Sequence, residues 1–152
     1  MVSKTKTSGS IQATFKSINE EIERKTAEAV EQRFEDLAYY AIYRGVPDQA
    51  VDTGAYVTSF SIGPAGFGGG RSRKSDNKPR NQNPQAMKDQ GYSQLQSDIN
   101  GINFEDLLKS GNARFTLRNR APHAYAVENG GITWRRDPNG YGVFAKIRSE
   151  FR

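Results

Sequence analysis

The sequence predicts an α+β fold: one long N-terminal helix packed on a small, mostly antiparallel β-sheet, with a long basic flexible loop inserted. Three observations predict it. Apolar residues recur at helical spacing over residues 15–44, and short runs near 56–62, 115–119 and 143–151 alternate in character. Between them, residues 63–84 are rich in glycine and cations and hold little that could enter a core. At 152 residues the chain has the length of one domain. Residues 1–14 are read as a flexible N-terminus and 15–152 as a single domain.

The helix rests on Phe15, Ile18, Ile22, Val30, Phe34, Leu37 and Ala41, which follow one another mostly at steps of three and four. Ser17 and Glu20 have capping-box spacing, and Gly45 followed by Pro47 is a helix stop. The other faces mix acids and bases, most simply a solvated surface with i,i+4 pairing. A coiled coil is the sharper alternative, and the break at Lys25-Thr26 spoils its heptads.

Val51-Asp52-Thr53-Gly54 reads as a turn, because Asp and Thr accept backbone N–H bonds and Gly tolerates positive φ. A short helical turn or a strand follows, with alternation from Tyr56 to Ile62 favouring a strand that ends at Gly63-Pro64. Residues 71–80 then carry Arg71, Arg73, Lys74, Lys78 and Arg80 against Asp76 alone, a net +4. Short helices are expected near 85–99 and 104–109, and a strand at Phe115–Asn119. Ala121-Pro122 must leave any ladder, since proline has no N–H, and residues 124–128 suit a helical turn closed by Asn129-Gly130-Gly131. At the C-terminus Val143, Ala145 and Ile147 alternate with charged residues, which favours a strand, although Val143, Ile147 and Phe151 would equally line one helix face.

Composition narrows the chemistry. The 22 Lys and Arg exceed the 17 Asp and Glu by five, hydrophobic residues make up only 35%, and cysteine is absent. A disulfide scaffold, a thiolate nucleophile and a thiolate zinc site are therefore impossible, and the lone His123 cannot make a two-histidine metal site. No leader-like or membrane-spanning apolar block occurs, so a soluble protein made in the cytoplasm is expected, with no cofactor or metal.

Asp52-Thr53-Gly54 has the spelling of the aspartic-protease loop, in which two carboxylates from two chains share a proton. A long helix precedes it here and no second clamping element is evident, so a capped turn is the simpler reading. His123 follows a proline without a nucleophile motif nearby, and reads as a packed or surface residue before it reads as a general base. Gly66 to Gly70 lacks the terminal Gly-Lys-Ser/Thr of a phosphate loop and reads as a hinge. The 71–80 stretch suits nonspecific phosphate contact but offers no aromatic for base stacking. Trp134, beside Arg135 and Arg136, is equally a partner anchor or a core residue.

Two separated stretches, taken together, resemble the neck or tail-completion (head-tail connector) proteins of tailed bacteriophages. Val51-Asp52-Thr53-Gly54, with Ser61-Ile62-Gly63-Pro64 after it, is similar to that family's turn behind its first helix. Phe115 to Ala124, containing Asn119-Arg120-Ala121-Pro122, and then Val127-Glu128-Asn129-Gly130, is similar to its strand, Asn-x-Ala-Pro and hydrophobic-Glu-x-Gly run. Gly142-Val143-Phe144 and Glu150-Phe151 match the family's C-terminal pattern, so that the resemblance covers roughly residues 20–151. Ala55 stands where the family has arginine, His123 where it has tyrosine, and the middle insertion is unusually basic.

The resemblance implies a virion structural protein without catalytic residues, assembled in the host cytoplasm. Such a protein forms a ring of six, alternatively twelve, subunits between head and tail. Its implied partners are itself, portal or adaptor proteins, and tail terminator or tail tube proteins, with nonspecific contact to packaged DNA and no membrane. By the same logic Asp52, Thr53 and Gly54 fix the first turn, and Asn119, Pro122, Glu128 and Gly130 shape the second. Glu128 is expected to meet a cation such as Arg114, Arg118 or Arg120, within or across subunits. The alternatives are a nucleic-acid-binding protein using the 71–80 loop and a dimeric aspartic protease.

Overall fold

The computed structural model describes residues 3–67, 80–111, 113–131 and 139–152, with side chains from Gly9 onward. It is an α+β fold. Helix α1 (Ser3–Tyr39) slips into a π-helical turn at Tyr40–Gly45, and single 3-10 turns follow at Asp48–Ala50 and Val57–Ser59. Strand β1 (Phe60–Pro64) leads on to α2 (Pro84–Asn100) and α3 (Phe104–Lys109). Strand β2 (Phe115–Asn119), α4 (Ala124–Asn129) and α5 (Val143–Glu150) complete the order. The sheet is a two-stranded antiparallel ribbon, with Phe60 opposite Asn119, Ile62 opposite Leu117 and Pro64 opposite Phe115.

So short a ribbon cannot stand alone and must be covered. Helix α2 packs against β1 and the 3-10 turn before it, while the π turn contacts α5. The shared core contains Ile42, Val46, Tyr56, Val57, Phe60, Leu95, Ile99, Val127 and Val143, each at most 1% exposed. Phe34, Phe104 and Phe115 form a second aromatic group, with ring centroids 4.5–5.6 Å apart, which joins α1, α3 and β2.

Four local expectations change. Helix α1 is already formed at Ser3, so part of the segment read as a flexible N-terminus is helix, and Ser17 sits in its interior and caps nothing. Gly9 is the one helix breaker on the way, and a single glycine costs about 1 kcal/mol in a helix that is otherwise continuous. The strand expected from Tyr56 starts only at Phe60. Thr58 and Ser59 turn their hydroxyls onto the carbonyls of Gly54 and Ala55, four residues back, which holds a 3-10 turn in place of extended chain.

The C-terminal segment is a helix, α5, with Val143 and Ile147 buried and Ala145 exposed. The four-residue repeat therefore outweighs the alternation. The helical run that starts in α1 does end at Gly45, as expected, but through a π turn in which Val46 N–H donates to the carbonyl of Ala41 at 3.2 Å. Gly45 is buried there, and a Cβ on it would lie 3.1 Å from Val143.

Of the expected loop at 63–84, the structure describes its two ends. Pro64 closes β1, a turn follows to Phe67, and Asn83 caps α2 by accepting from Ala86 N–H at 3.0 Å. The ring of Phe67 fills the space above Gly63 that a Cβ would need.

Candidate functional site

The residues singled out by motif lie at two joints around Tyr56 and Phe60. At the first, Gly54 adopts φ +77° and its carbonyl accepts both the N–H and the hydroxyl of Thr58. Thr53 is buried, and its hydroxyl accepts from Ala55 N–H at 3.3 Å. Asp52 reaches the other way. Its carboxylate accepts from Asn81 N–H at 3.0 Å, its backbone carbonyl accepts from Gln82 N–H, and Arg80 Nε lies 4.0 Å from Oδ2. This aspartate ties the turn after α1 to the entrance of α2. A Cβ on Gly54 would strike Met87 of α2, so the turn and the helix are fitted together at that point.

At the second joint Asn119 ends β2 and donates from Nδ2 to the carbonyl of Tyr56 at 2.8 Å, while its Oδ1 accepts from Ala121 N–H. One amide thus bridges the first joint to the second and turns the chain out of the ladder. Pro122 is exposed at the start of that turn, and His123 stands just before α4 with its ring 6.5 Å from that of Tyr56. Gly130 ends α4 at φ +72°. Gly140 packs so closely there that a Cβ on it would strike the carbonyl of Glu128 and the amide of Gly130.

Glu128 takes a different partner from the one expected. Its carboxylate accepts from Phe144 N–H at 3.0 Å and Ala145 N–H at 3.2 Å, the free amides of the first turn of α5. Within the chain this cap stands in place of the expected ion pair with Arg114, Arg118 or Arg120, satisfying orphan donors and placing a negative charge at the positive end of a helix. Arg118 is engaged elsewhere: it donates to the carbonyl of Phe67 at 3.0 Å and lies over that ring.

Tyr56, at the centre, is 1% exposed, and its hydroxyl has no hydrogen-bond partner among the described residues. Burial, and then the nearby Glu128 charge, push its phenol well above the ordinary range.

Arg71, Arg73, Lys74 and Lys78 of the basic stretch, and Trp134 with Arg135 and Arg136, lie outside the described residues. Arg80, the one cation of that stretch that is described, sits beside Asp52.

Sequence reasoning assigned Phe15, Ile18 and Ile22 to the same buried face as Val30 and Phe34. The structure separates them. Ile11, Phe15, Ile18 and Ile22 are 47–62% exposed, whereas Ala27, Ala38 and Ala41 are buried and Val30 and Phe34 pack on the core. At 100° per residue the exposed set points roughly 130° around the axis from the packed set. The break at Lys25-Thr26 was the available signal of that change of face.

Lys88, in α2, was also missed. It is 6% exposed, and its ammonium reaches Asp48 at 2.6 Å. Among the described residues no cluster of three or more acidic or histidine side chains could hold a metal, and no helix is long and apolar enough to cross a membrane. Comparison with family models, with curated proteins and with solved structures finds no match to this chain.

Proposed function

We propose that this chain is a structural subunit of the neck of a tailed bacteriophage, a tail-completion or head-tail connector protein that acts by assembling with copies of itself and joining portal or adaptor proteins to the tail. In this reading it carries no catalytic residue and no cofactor, and it resides in the virion. The observation that carries it is the apolar face of α1 formed by Ile11, Phe15, Ile18 and Ile22, exposed among the described residues. Apolar surface in a continuous row is a site for another molecule. A subunit whose surface is completed by neighbours needs less core of its own, which suits a chain only 35% hydrophobic.

The resemblance to that family supports the reading from a second side. The residues that carry it, Asp52, Thr53, Gly54, Asn119, Pro122, Glu128 and Gly130, sit at turns, caps and joints, where a structural protein must be held in shape. Electron microscopy of the purified protein, and of neck and tail fractions from a virion, tests the proposal. Closed rings, or density for this chain at the head-tail junction, are expected. A protein that is monomeric at every concentration and absent from virions would overturn it.

The net +4 of residues 71–80 favours a second reading, a nucleic-acid contact. Five cations facing one acid would release counterions on binding phosphate, so affinity would fall steeply with salt. Deleting residues 71–80 should abolish both the binding and its salt slope. The two readings are compatible where a ring surrounds a DNA path.

A further inference from the structure

We propose that the N-terminal half of α1 docks into the groove between α1 and α3 of a second copy of this chain. The inference rests on the self-assembly reading above and names the surfaces that would carry it.

The donor surface is the row Ile11, Phe15 and Ile18, with Lys16 beside it. Among the described residues it stands exposed. Helix α1 runs unbroken from Ser3 to Tyr39, so at 1.5 Å per residue Phe15 stands about 18 Å along the axis from Ala27, where the packed face begins. The row also points away from that face.

The receiving surface lies where α3 crosses α1. Two cavities flank the crossing there. One, of about 150 Å³, is lined by Ile22, Thr26 and Leu108 with Glu23, Glu105 and Lys109 at its rim. The other, of about 600 Å³, is lined by Ala27, Ile102 and Phe104 together with Asn100 and Asn103, and its charged lining residues are Glu28, Glu31 and Glu105 against Arg24. The smaller cavity is the apolar one and the larger is mainly polar, while acids outnumber bases around each, with Lys109 at 3.6 Å from Glu23 and 4.0 Å from Glu105. Ile22, 57% exposed, continues the apolar row into the smaller one.

Charge selects the occupant. Residues 1–16 contain three lysines and no acid, whereas residues 17–36 contain seven acids and three bases, a net −4. Two copies laid with α1 helices antiparallel set the cationic half of each against the acidic half of the other, and a parallel arrangement would oppose like charges. Apolar anchors then enter the smaller, apolar cavity while lysines meet the carboxylates around the larger, polar one, the arrangement of a buried centre inside a polar edge. The contact is self-complementary if two copies return it to each other, and it propagates if each copy passes it to the next.

The absence of cysteine makes a clean test possible. Full-length Ile11→Cys and Leu108→Cys chains are mixed, oxidised mildly and resolved by mass, with sedimentation of the wild type in parallel. Disulfide-linked dimers containing one chain of each variant are expected, in lower yield at high salt. In the wild-type background, Phe15→Glu with Ile18→Glu should weaken association by at least about tenfold. Both positions are exposed, so the circular dichroism and thermal midpoint should stay unchanged, and a variant that failed that check would be replaced by Phe15→Ser.

Cross-links that join only two Ile11→Cys chains, or assembly that survives the double substitution, would overturn this docking and leave the assembly reading standing. Mixed cross-links in a particle that stops at two chains would support the docking and count against a ring. A wild type that is monomeric throughout, without cross-links between the variants, would overturn both.

Discussion

The carboxylate of Glu128 stands where a capping Ser or Asp would stand for α5, yet it arrives from 16 residues upstream of Phe144. Gly142, the residue at the cap position itself, is left-handed and offers no side chain. Glu128→Ala should therefore cost about 1–2 kcal/mol in urea denaturation, the range for losing a cap together with a charge-assisted hydrogen bond. Glu128→Gln keeps one neutral acceptor and should lose about half as much. Equal stability of all three chains would show that α5 does not depend on this contact. Tyr56 presents the opposite case, because its buried hydroxyl lacks a partner among the described residues. Tyr56→Phe removes an unsatisfied polar atom and keeps the ring against Phe60, so the thermal midpoint should hold or rise, by up to about 1 kcal/mol of added stability. A clear loss would mean that the hydroxyl is bonded in solution.

Two helical glycines make the same contrast between elements. Gly91 of α2 faces the 3-10 turn at Val57–Ser59, and a Cβ there would collide with the backbone carbonyl of Val57. Gly9 of α1 has nothing within 4 Å. Glycine to alanine inside a helix ordinarily gains about 1 kcal/mol, so Gly9→Ala should raise helical circular dichroism. At Gly91 the clash outweighs that gain, and Gly91→Ala should destabilise by about 1–3 kcal/mol, because backbone cannot step aside as a side chain can. If both variants gained stability, the close packing of α2 on the turn would be wrong.

The same elements show what the amino-acid pattern could reveal. Helices α2 and α3, strand β2 and the turn of α4 are all legible, each having its own periodicity or an Asn cap, such as Asn83 and Asn103, in the local sequence. Helix α5 was not, because the group that caps it is distant in sequence and its pattern fits both periods. The late start of β1 was hidden for a related reason. Residues 53 to 63 are buried whichever way they point, so alternation carried no information, and the length of β1 is limited by β2, which turns away at Asn119. Of the candidate site, the turns at Asp52–Gly54 and Asn119–Pro122 could be read from residue type, but the bond between them, from Asn119 to Tyr56, spans 63 residues. No local pattern encodes such a contact.

In the molecule as a whole, α1 and α2 are held together on one side by tyrosines. Tyr39, Tyr43 and Tyr92 lie with ring centroids 4.8–5.9 Å apart, and Tyr43 donates to Asp89 of α2 at 2.6 Å. Burial and that hydrogen bond to a carboxylate raise the Tyr43 phenol from 10.0 to about 12, and burial with Glu35 and Asp36 nearby raises Tyr92. Each raised value means that the folded chain holds the phenolic proton more tightly than the unfolded chain does. Their stabilisation is complete below pH 10.0 and declines as the unfolded phenols ionise above it, and the share of Tyr43 is lost as pH rises through about 12. The denaturant midpoint should accordingly fall across that window. Tyr43→Phe should lower stability modestly and evenly below pH 10.0, through the lost bond to Asp89, and make the alkaline decline shallower. An unchanged alkaline slope in Tyr43→Phe would place the sensitive phenols elsewhere, with Tyr56 and Tyr92 the next to substitute. A slope reduced in proportion would show that the junction of α1 with α2, which sets the direction in which the uncovered half of α1 leaves the body, is locked by neutral tyrosine.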